Sequence, residues 1–155
     1  MKTSYLLDNF DKEILRTLQE DNKTSLKFLS EKVCLSIASV QRRIKKMEDN
    51  GVISANTAVV DPIKIGKLIT IVVEIHIEKS HSSDMEEFKK SFSAPPIQQC
   101  YYVTGDADFI LILVVSSMEE YSVIRKELFY DNPNIKWFRT MIVMDRVKST
   151  LHQLI

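Results

Sequence analysis

The sequence predicts an α+β fold in two parts: helices first, then an antiparallel sheet with two helices on one face. Three observations predict it. Apolar residues recur at helical spacing through about the first 50 positions. At Ile69 the apolar period changes from 3.6 to 2, with Ile69, Ile71, Val73, Ile75 and Ile77 on one face and Glu74, His76 and Glu78 on the other. From there the strand-like and helix-like stretches follow in the order β-α-β-β-α-β.

Taken in order, residues 1–7 are a lead-in. Asp8 to Glu20 is a helix, with Phe10, Ile14 and Leu18 at i, i+4, i+8, and Asp21-Asn22-Lys23 breaks it. Leu26 to Val33 is a second helix capped by Ser25. A third runs from the cap Ser36 to Gly51, whose place just past the last turn suits a left-handed C-cap. Only three residues separate the second and third helices, so they cross steeply, which is a helix-turn-helix. On a wheel of about 100° per residue, Ile37, Val40, Ile44 and Met47 form a core stripe. Ala38, Ser39, Arg42, Lys45 and Lys46 fall on the opposite half. Positions 36–46 hold four cations (Arg42, Arg43, Lys45, Lys46) and no acid. This is the pattern of a recognition helix in a DNA major groove; a solvated basic helix face is the bland alternative. Val52 to Val60 is rich in β-branched residues and is expected to be extended, as a wing beside the helices. The winged helix-turn-helix domain is thus placed at 1–60, a hinge with Pro62 and Gly66 at 61–68, and a second domain at 69–155.

The second domain opens with the strand Ile69 to Glu78. A helix follows over Asp84 to Phe92, with Met85, Phe88 and Phe92 inward, stopped by Ala94-Pro95-Pro96. Ile97 to Val103 is a strand, Thr104 to Asp108 a turn, and Phe109 to Val115 a strand. Ser117 caps a helix to about Phe129, Asn132-Pro133-Asn134 ends it, and Ile135 to Val147 is the last strand. This is the ferredoxin-like topology. Phe109 to Val115 carries no polar residue in seven positions. A strand covered on one side should alternate, so a second cover is needed. A second copy of the sheet would supply it, giving a homodimer; the alternative is a central strand with some exposed apolar residues.

Composition bounds the function. Of 155 residues, 45% are hydrophobic and 27% charged, which fits a globular chain. No apolar run is long enough to span a bilayer, so no membrane partner is expected. The N-terminus turns acidic too early for a signal peptide. Cys34 and Cys100 fall in different domains, so reduced thiols and a cytoplasmic location are expected. Twenty-one basic residues balance twenty-one acidic ones, so DNA binding must rest on the local patch and on having more than one copy of it.

Three separated stretches carry a resemblance: LDNFDKEILRTLQED, LSEKVCLSIASVQRRIKKMEDNGVI and VTGDADFILILVV. From about residue 7 onward the chain resembles the Lrp/AsnC (feast-or-famine) family of transcriptional regulators. The resemblance implies dimers that assemble further, to tetramers or octamers, and a small effector, usually an amino acid, bound near a Gly-Asp-x-Asp turn where dimers meet. Here that turn is Gly105-Asp106-Ala107-Asp108. Three positions depart from the family pattern. Cys34 stands where Gly is usual in the helix-turn-helix turn; at positive φ its side chain costs about 1 kcal/mol relative to Gly. Ala55-Asn56 replaces a common Gly-Tyr. Phe28 replaces an acid, which leaves Ser25 without a capping-box partner and makes Phe28 a candidate packing contact.

The turn also has its own chemistry. Backbone N–H groups freed by Gly105 suit a carboxylate, and Asp106 or Asp108 suits an α-ammonium group. Tyr102, Val103, Thr104 and Phe109 would surround the ligand. The structural alternative is that both aspartates are turn formers. No enzyme motif stands out: there is no P-loop, dinucleotide fingerprint, CxxC pair or Ser-His-Asp order. No catalytic residue, metal or cofactor is therefore assigned. Glu74, His76 and Glu78 share a strand face and could in principle hold a metal, but a solvated or interface face explains them equally.

The mechanism expected is a dimer presenting two recognition helices to double-stranded DNA. Ser36, Ala38, Ser39 and Arg42 lie nearest the bases, and Gln41, Arg43, Lys45 and Lys46 serve mainly phosphates. An amino acid at the contact between dimers would shift assembly and thereby avidity. The alternative is an effector-independent architectural DNA-binding protein of the same fold.

Overall fold

The computed structural model describes residues 5–66, 69–78, 85–93 and 95–155, and the chain divides into two compact units. The first comprises residues up to Val59 together with Lys148–Ile155; the second is Val60–Val147.

In the first unit, α1 spans Asn9–Glu20, α2 Leu26–Val33 and α3 Ile37–Asp49. Each start is set by a side chain. Asp8 accepts from the Asp11 N–H at 2.9 Å, and Asp11 accepts in return from the Asp8 N–H at 3.2 Å, a reciprocal cap with Asp at its third position. Ser25 accepts from the Phe28 N–H and Ser36 from the Ser39 N–H, both at 3.2 Å. The ends need left-handed residues. Cys34 closes α2 at φ 53°, ψ 42°, with the Leu35 N–H on the Ser30 carbonyl. Gly51, at φ 72°, follows α3, with the Val52 N–H on the Met47 carbonyl at 2.8 Å.

Ile14, Leu29, Val40 and Met47 are fully buried at the centre of the three helices, and Leu15 and Val33 join them. Each such side chain contributes about 1.5–3 kcal/mol. Two apolar residues fall outside this core. Ile37, expected in the stripe, is 47% exposed because it begins α3, beyond the end of α2. Phe28, a candidate packing contact, is 53% exposed, since it lies roughly opposite the Leu26, Leu29 and Val33 stripe of α2, and it stands outside the helical core. Residues 52–60 form no strand, so the wing is an extended stretch without a ladder. Its start is held by the Ile53 side chain on the core and by Asn56 donating to Glu48 at 3.0 Å.

The chain's last residues differ from the sequence expectation. The final strand stops at Ile142 rather than Val147, and Lys148–Ile155 groups by its contacts with the first unit. Ile155 lies against the helical core, which gives an apolar end residue somewhere to be buried.

In the second unit, Asp61 caps a 3₁₀ turn at Pro62–Ile65, and Gly66 closes it at φ 77°. The sheet comprises β1 (Ile69–Ile77), β2 (Ile97–Tyr102), β3 (Phe109–Val115) and β4 (Ile135–Ile142), in the antiparallel order β2-β3-β1-β4. Two helices, α4 (Met85–Ser91) and α5 (Met118–Arg125), complete the ferredoxin-like order. The expected start of α4 at Asp84 lies outside the described residues. Past Arg125 a π-helical turn, Lys126–Tyr130, carries the buried Phe129.

The helix-covered face pairs Ile71 with Leu113, Val73 with Leu111 and Ile75 with Phe109. Phe88, Phe92, Tyr121, Ile124 and Phe129 fill the space above them. Tyr121 is buried, and its hydroxyl shares a hydrogen bond with Thr140 at 2.5 Å. The opposite face carries Val72, Ile110, Ile112 and Val114 at its centre and the exposed Tyr101, Trp137 and Met141 around them. The unbroken apolar run of β3 thus faces the core with one set of side chains and the open side with the other.

Candidate nucleic-acid interface and ligand turn

The four cations of α3 do not have equal freedom. Arg43 turns back to α1. Its Nη1 donates to Asp8 Oδ2 and to Asp11 Oδ1, each at 2.7 Å, and its guanidinium lies 5.4 Å from the Phe10 ring centroid. Asp11 is 1% exposed and also accepts from the Tyr5 hydroxyl at 3.0 Å. The hydrogen bond to Asp11 is the main cause that raises the Arg43 pKa. The bond from the Asp11 N–H, assisted by Arg43, holds the Asp8 carboxyl below its ordinary range. This network ties α3 to α1. Arg43, expected at phosphates, is a structural clamp, because its charge compensates a buried carboxylate. The wheel contained the signal: Arg43 lies only about 60° from Val40, on the flank of the core stripe.

Lys46 sits over the Tyr5 ring, 4.9 Å from its centroid, and Lys45 pairs with Asp49 at 2.9 Å on the exposed surface. Arg42 forms no ion pair or hydrogen bond among the described residues and is exposed. Ala38, Arg42 and Lys45 share one outward ridge. A shallow groove beside it is lined by Leu26, Ala38, Gln41, Arg42, Ile44, Lys45 and Glu48. The Ser36 hydroxyl caps the Ser39 N–H, and Ser39 is half-buried on the side nearer α1. The structure therefore brings Ala38, Gln41, Arg42 and Lys45 together, sets Ser36 and Ser39 at the helix start, and removes Arg43 from the exposed set.

The Gly-Asp-Ala-Asp turn joins β2 to β3. The Val103 N–H donates to the Asp108 carbonyl and the Asp108 N–H to the Ile75 carbonyl, both at 2.9 Å. Asp108 Oδ2 accepts from the Ile77 N–H at 2.9 Å, beside the irregularity between His76 and Ile77. That oxygen therefore holds the turn on the end of β1, a structural use of this side chain. Gly105 takes φ 126°, a conformation L residues rarely adopt, with nothing within 4 Å of where a Cβ would stand. Thr104 and Asp106 are exposed and Val103 is half-buried. Tyr102 is 61% exposed, its ring 4.9 Å from Phe109, with Lys89 Nζ 5.8 Å from the Tyr102 centroid.

The metal alternative on β1 meets other commitments. Glu74 is paired with Arg139, whose Nε donates at 2.6 Å. The His76 ring stacks on Trp137 with centroids 3.5 Å apart. Among the described residues, no group of three His, Cys, Asp or Glu side chains is placed to hold a metal.

Comparison with known proteins matches both units. A winged helix-turn-helix DNA-binding family model covers residues 7–54, and the Lrp/AsnC ligand-binding domain model covers residues 70–152. The chain belongs to the Lrp/AsnC family of transcriptional regulators. An uncharacterized HTH-type transcriptional regulator of Sinorhizobium fredii is 41% identical over 145 residues, 93% of this chain and 86% of that one. The crystal structure of an AsnC-family regulator from Agrobacterium tumefaciens superposes with a TM-score of 0.88 at 31% identity, over 96% of this chain and 97% of that one. A transcriptional regulator from Neisseria meningitidis, solved as a complex with L-Met, has a TM-score of 0.86 at 26% identity, over 94% and 95% of the two chains. This Lrp/AsnC protein is therefore a DNA-binding transcriptional regulator with a ligand-binding domain. The matched segments contain α3 and the Gly105 turn.

Proposed function

We propose that this regulator reads double-stranded DNA through the Ala38–Arg42–Lys45 ridge of α3 and adjusts that binding to a free amino acid held near Tyr102, Val103, Thr104, Gly105 and Asp106. The observation that carries the proposal is Arg42, exposed beside small residues and without an ion pair or hydrogen bond among the described residues. A guanidinium with no intramolecular partner can fork onto a base edge without first breaking an ion pair. Ser36, Ala38 and Ser39 allow close approach; Gln41, Lys45 and Lys46 reach phosphates.

On the effector side, Gly105 leaves backbone room for a carboxylate and the exposed Asp106 offers a partner for an ammonium group. The L-Met complex of the Neisseria relative supports an amino acid as the ligand class. Asp108 keeps Oδ1 for such a contact while Oδ2 holds the turn. The apolar open face of the sheet supports a homodimer through β3, and further assembly would bring several helix pairs to one DNA. No helix among the described residues is long and apolar enough to cross a membrane, and a cytoplasmic regulator without catalytic activity or cofactor is the simplest setting for these features.

The test is a thermal-shift screen of the purified protein against the twenty amino acids at millimolar concentration. A ligand at about 100 times its dissociation constant adds roughly 2.7 kcal/mol of stability. One or a few side-chain types should raise the melting temperature. No response to any amino acid would refute the effector assignment and favour an architectural DNA-binding role.

A further inference from the structure

The DNA-binding unit is not one continuous stretch of chain. Lys148–Ile155 returns to it after β4. The returning segment is held near its far end. Ile155 lies against the helical core, and its backbone oxygen accepts from Arg16 Nε at 2.9 Å and Nη2 at 2.7 Å. The Gln153 N–H donates to Gln19 Oε1 at 2.5 Å, and Gln19 Nε2 donates to the Gln153 carbonyl at 3.1 Å. Between and before these anchors, Leu154 and Leu151 stand fully or largely in solvent. The segment is seated by one apolar side chain and four exposed hydrogen bonds. Exposed bonds of this kind exchange readily with water, so the seat is reversible.

The helix it sits on carries polar ties to both of the others. Arg16 Nη1 pairs with Glu13 at 3.1 Å, and Glu13 also pairs with Lys32 of α2 at 3.1 Å. Lys32 Nζ donates to Thr17 at 3.0 Å. From the N-terminal end of the same helix, Asp8 and Asp11 hold Arg43 of α3. A three-helix unit of this size is near the lower limit for independent folding, so a few contacts added to α1 alter how firmly α3 is held.

We propose that residues 148–155 are a reversible clasp on α1 that sets the DNA-binding competence of the recognition helix. Docked, the clasp holds the three helices in their binding arrangement; released, it leaves them looser and weaker on DNA. It continues in the chain from β4 through residues 143–147, which gives the ligand-binding domain a covalent handle on α1.

The experiment compares the full chain with a version ending at Val147, on a duplex that the full chain selects from a random pool. The shortened protein should bind this duplex several-fold more weakly. Amide hydrogens of α1, α2 and α3 should exchange faster while those of β1 and β3 keep their rates. A synthetic peptide of residues 147–155 in excess should restore both properties. If the shortened chain does not fold, the double substitution Gln19→Ala with Ile155→Ser should give the same changes in smaller degree. Unchanged DNA affinity, tighter DNA binding, unchanged exchange in α1–α3, or failure of the peptide to restore a folded shortened chain would each overturn the proposal.

Discussion

Replacing Cys34 by Gly should stabilise the DNA-binding unit. Cys34 closes α2 at φ 53°, ψ 42°, the only non-glycine residue at positive φ among those described. A side chain in this region costs about 1–2 kcal/mol through the clash of Cβ with the following carbonyl. Glycine removes that clash but gives the unfolded chain more freedom, which returns about 0.5–1 kcal/mol. Little else is lost: the side chain is exposed, and its sulfur makes only a 3.8 Å contact with the Glu31 carbonyl. The capping bond from the Leu35 N–H to the Ser30 carbonyl at 3.1 Å belongs to the backbone and survives. The middle of these two ranges leaves a net gain of about 0.75 kcal/mol. For a unit of this size, 1 kcal/mol corresponds to a rise of about 4–8 °C in melting temperature. Urea and thermal melts followed by helical circular dichroism would measure it. Gly51→Ala provides the control of opposite sign in the same unit, since Gly51 has φ 72° and open space around its missing Cβ, so its penalty is conformational alone. An unchanged or lowered stability for Cys34→Gly would refute the assignment of strain to this turn.

Other outcomes follow from the same geometry. Arg43→Met should destabilise the helical unit by about 1–3 kcal/mol, because Asp11 would stay buried without its cation; urea melts would measure this. At a temperature where the variant is folded, its DNA affinity in a fluorescence-anisotropy titration should fall to a similar degree on a selected and on a scrambled duplex, the mark of a loosened helix and not of a lost base contact. The lowered pKa of Asp8, caused first by the Asp11 N–H and then by Arg43, makes the unit acid-sensitive. The folded value lies below the unfolded one, so the stabilisation is complete above about pH 4 and is lost as pH falls through the folded value. Asp8→Asn should flatten that acid limb in melts taken between roughly pH 5 and 2. Asp108→Ala should lower the melting temperature of the second unit by freeing the Ile77 N–H, whereas Asp106→Ala should leave it unchanged and weaken amino-acid binding in calorimetry.

Much of this molecule was legible in the sequence because local rules agreed with one another. Ser25, Ser36 and Ser117 cap helices where their positions suggested. β3 occupies the expected residues, and Cys34, at a position where the family resemblance implied Gly, does take the left-handed conformation. What failed to show were long-range partnerships. The pairing of Arg43 with Asp8 and Asp11 joins residues more than thirty positions apart, and a wheel drawn on one helix does not display it. The Lys148–Ile155 segment has no strong period, so only its docking on α1 reveals where it belongs. Residues 52–60 have the composition of a strand but lack a partner strand, and composition alone does not make a ladder. At the ligand turn the chemistry was legible and the division of labour was not: Asp108 and Asp106 read alike until the Ile77 N–H separates them.

The most direct test of DNA reading by α3 is a salt-dependent binding titration of the full chain and its Arg42→Ala and Lys46→Ala variants, on the selected duplex and on a scrambled one. Affinity should fall steeply with salt. Arg42→Ala should lose about 1–3 kcal/mol on the selected duplex and little on the scrambled one, while Lys46→Ala should weaken both alike and reduce the salt slope by about one. Equal losses on both duplexes for Arg42→Ala, or binding indifferent to salt, would contradict the assignment of this ridge to sequence reading.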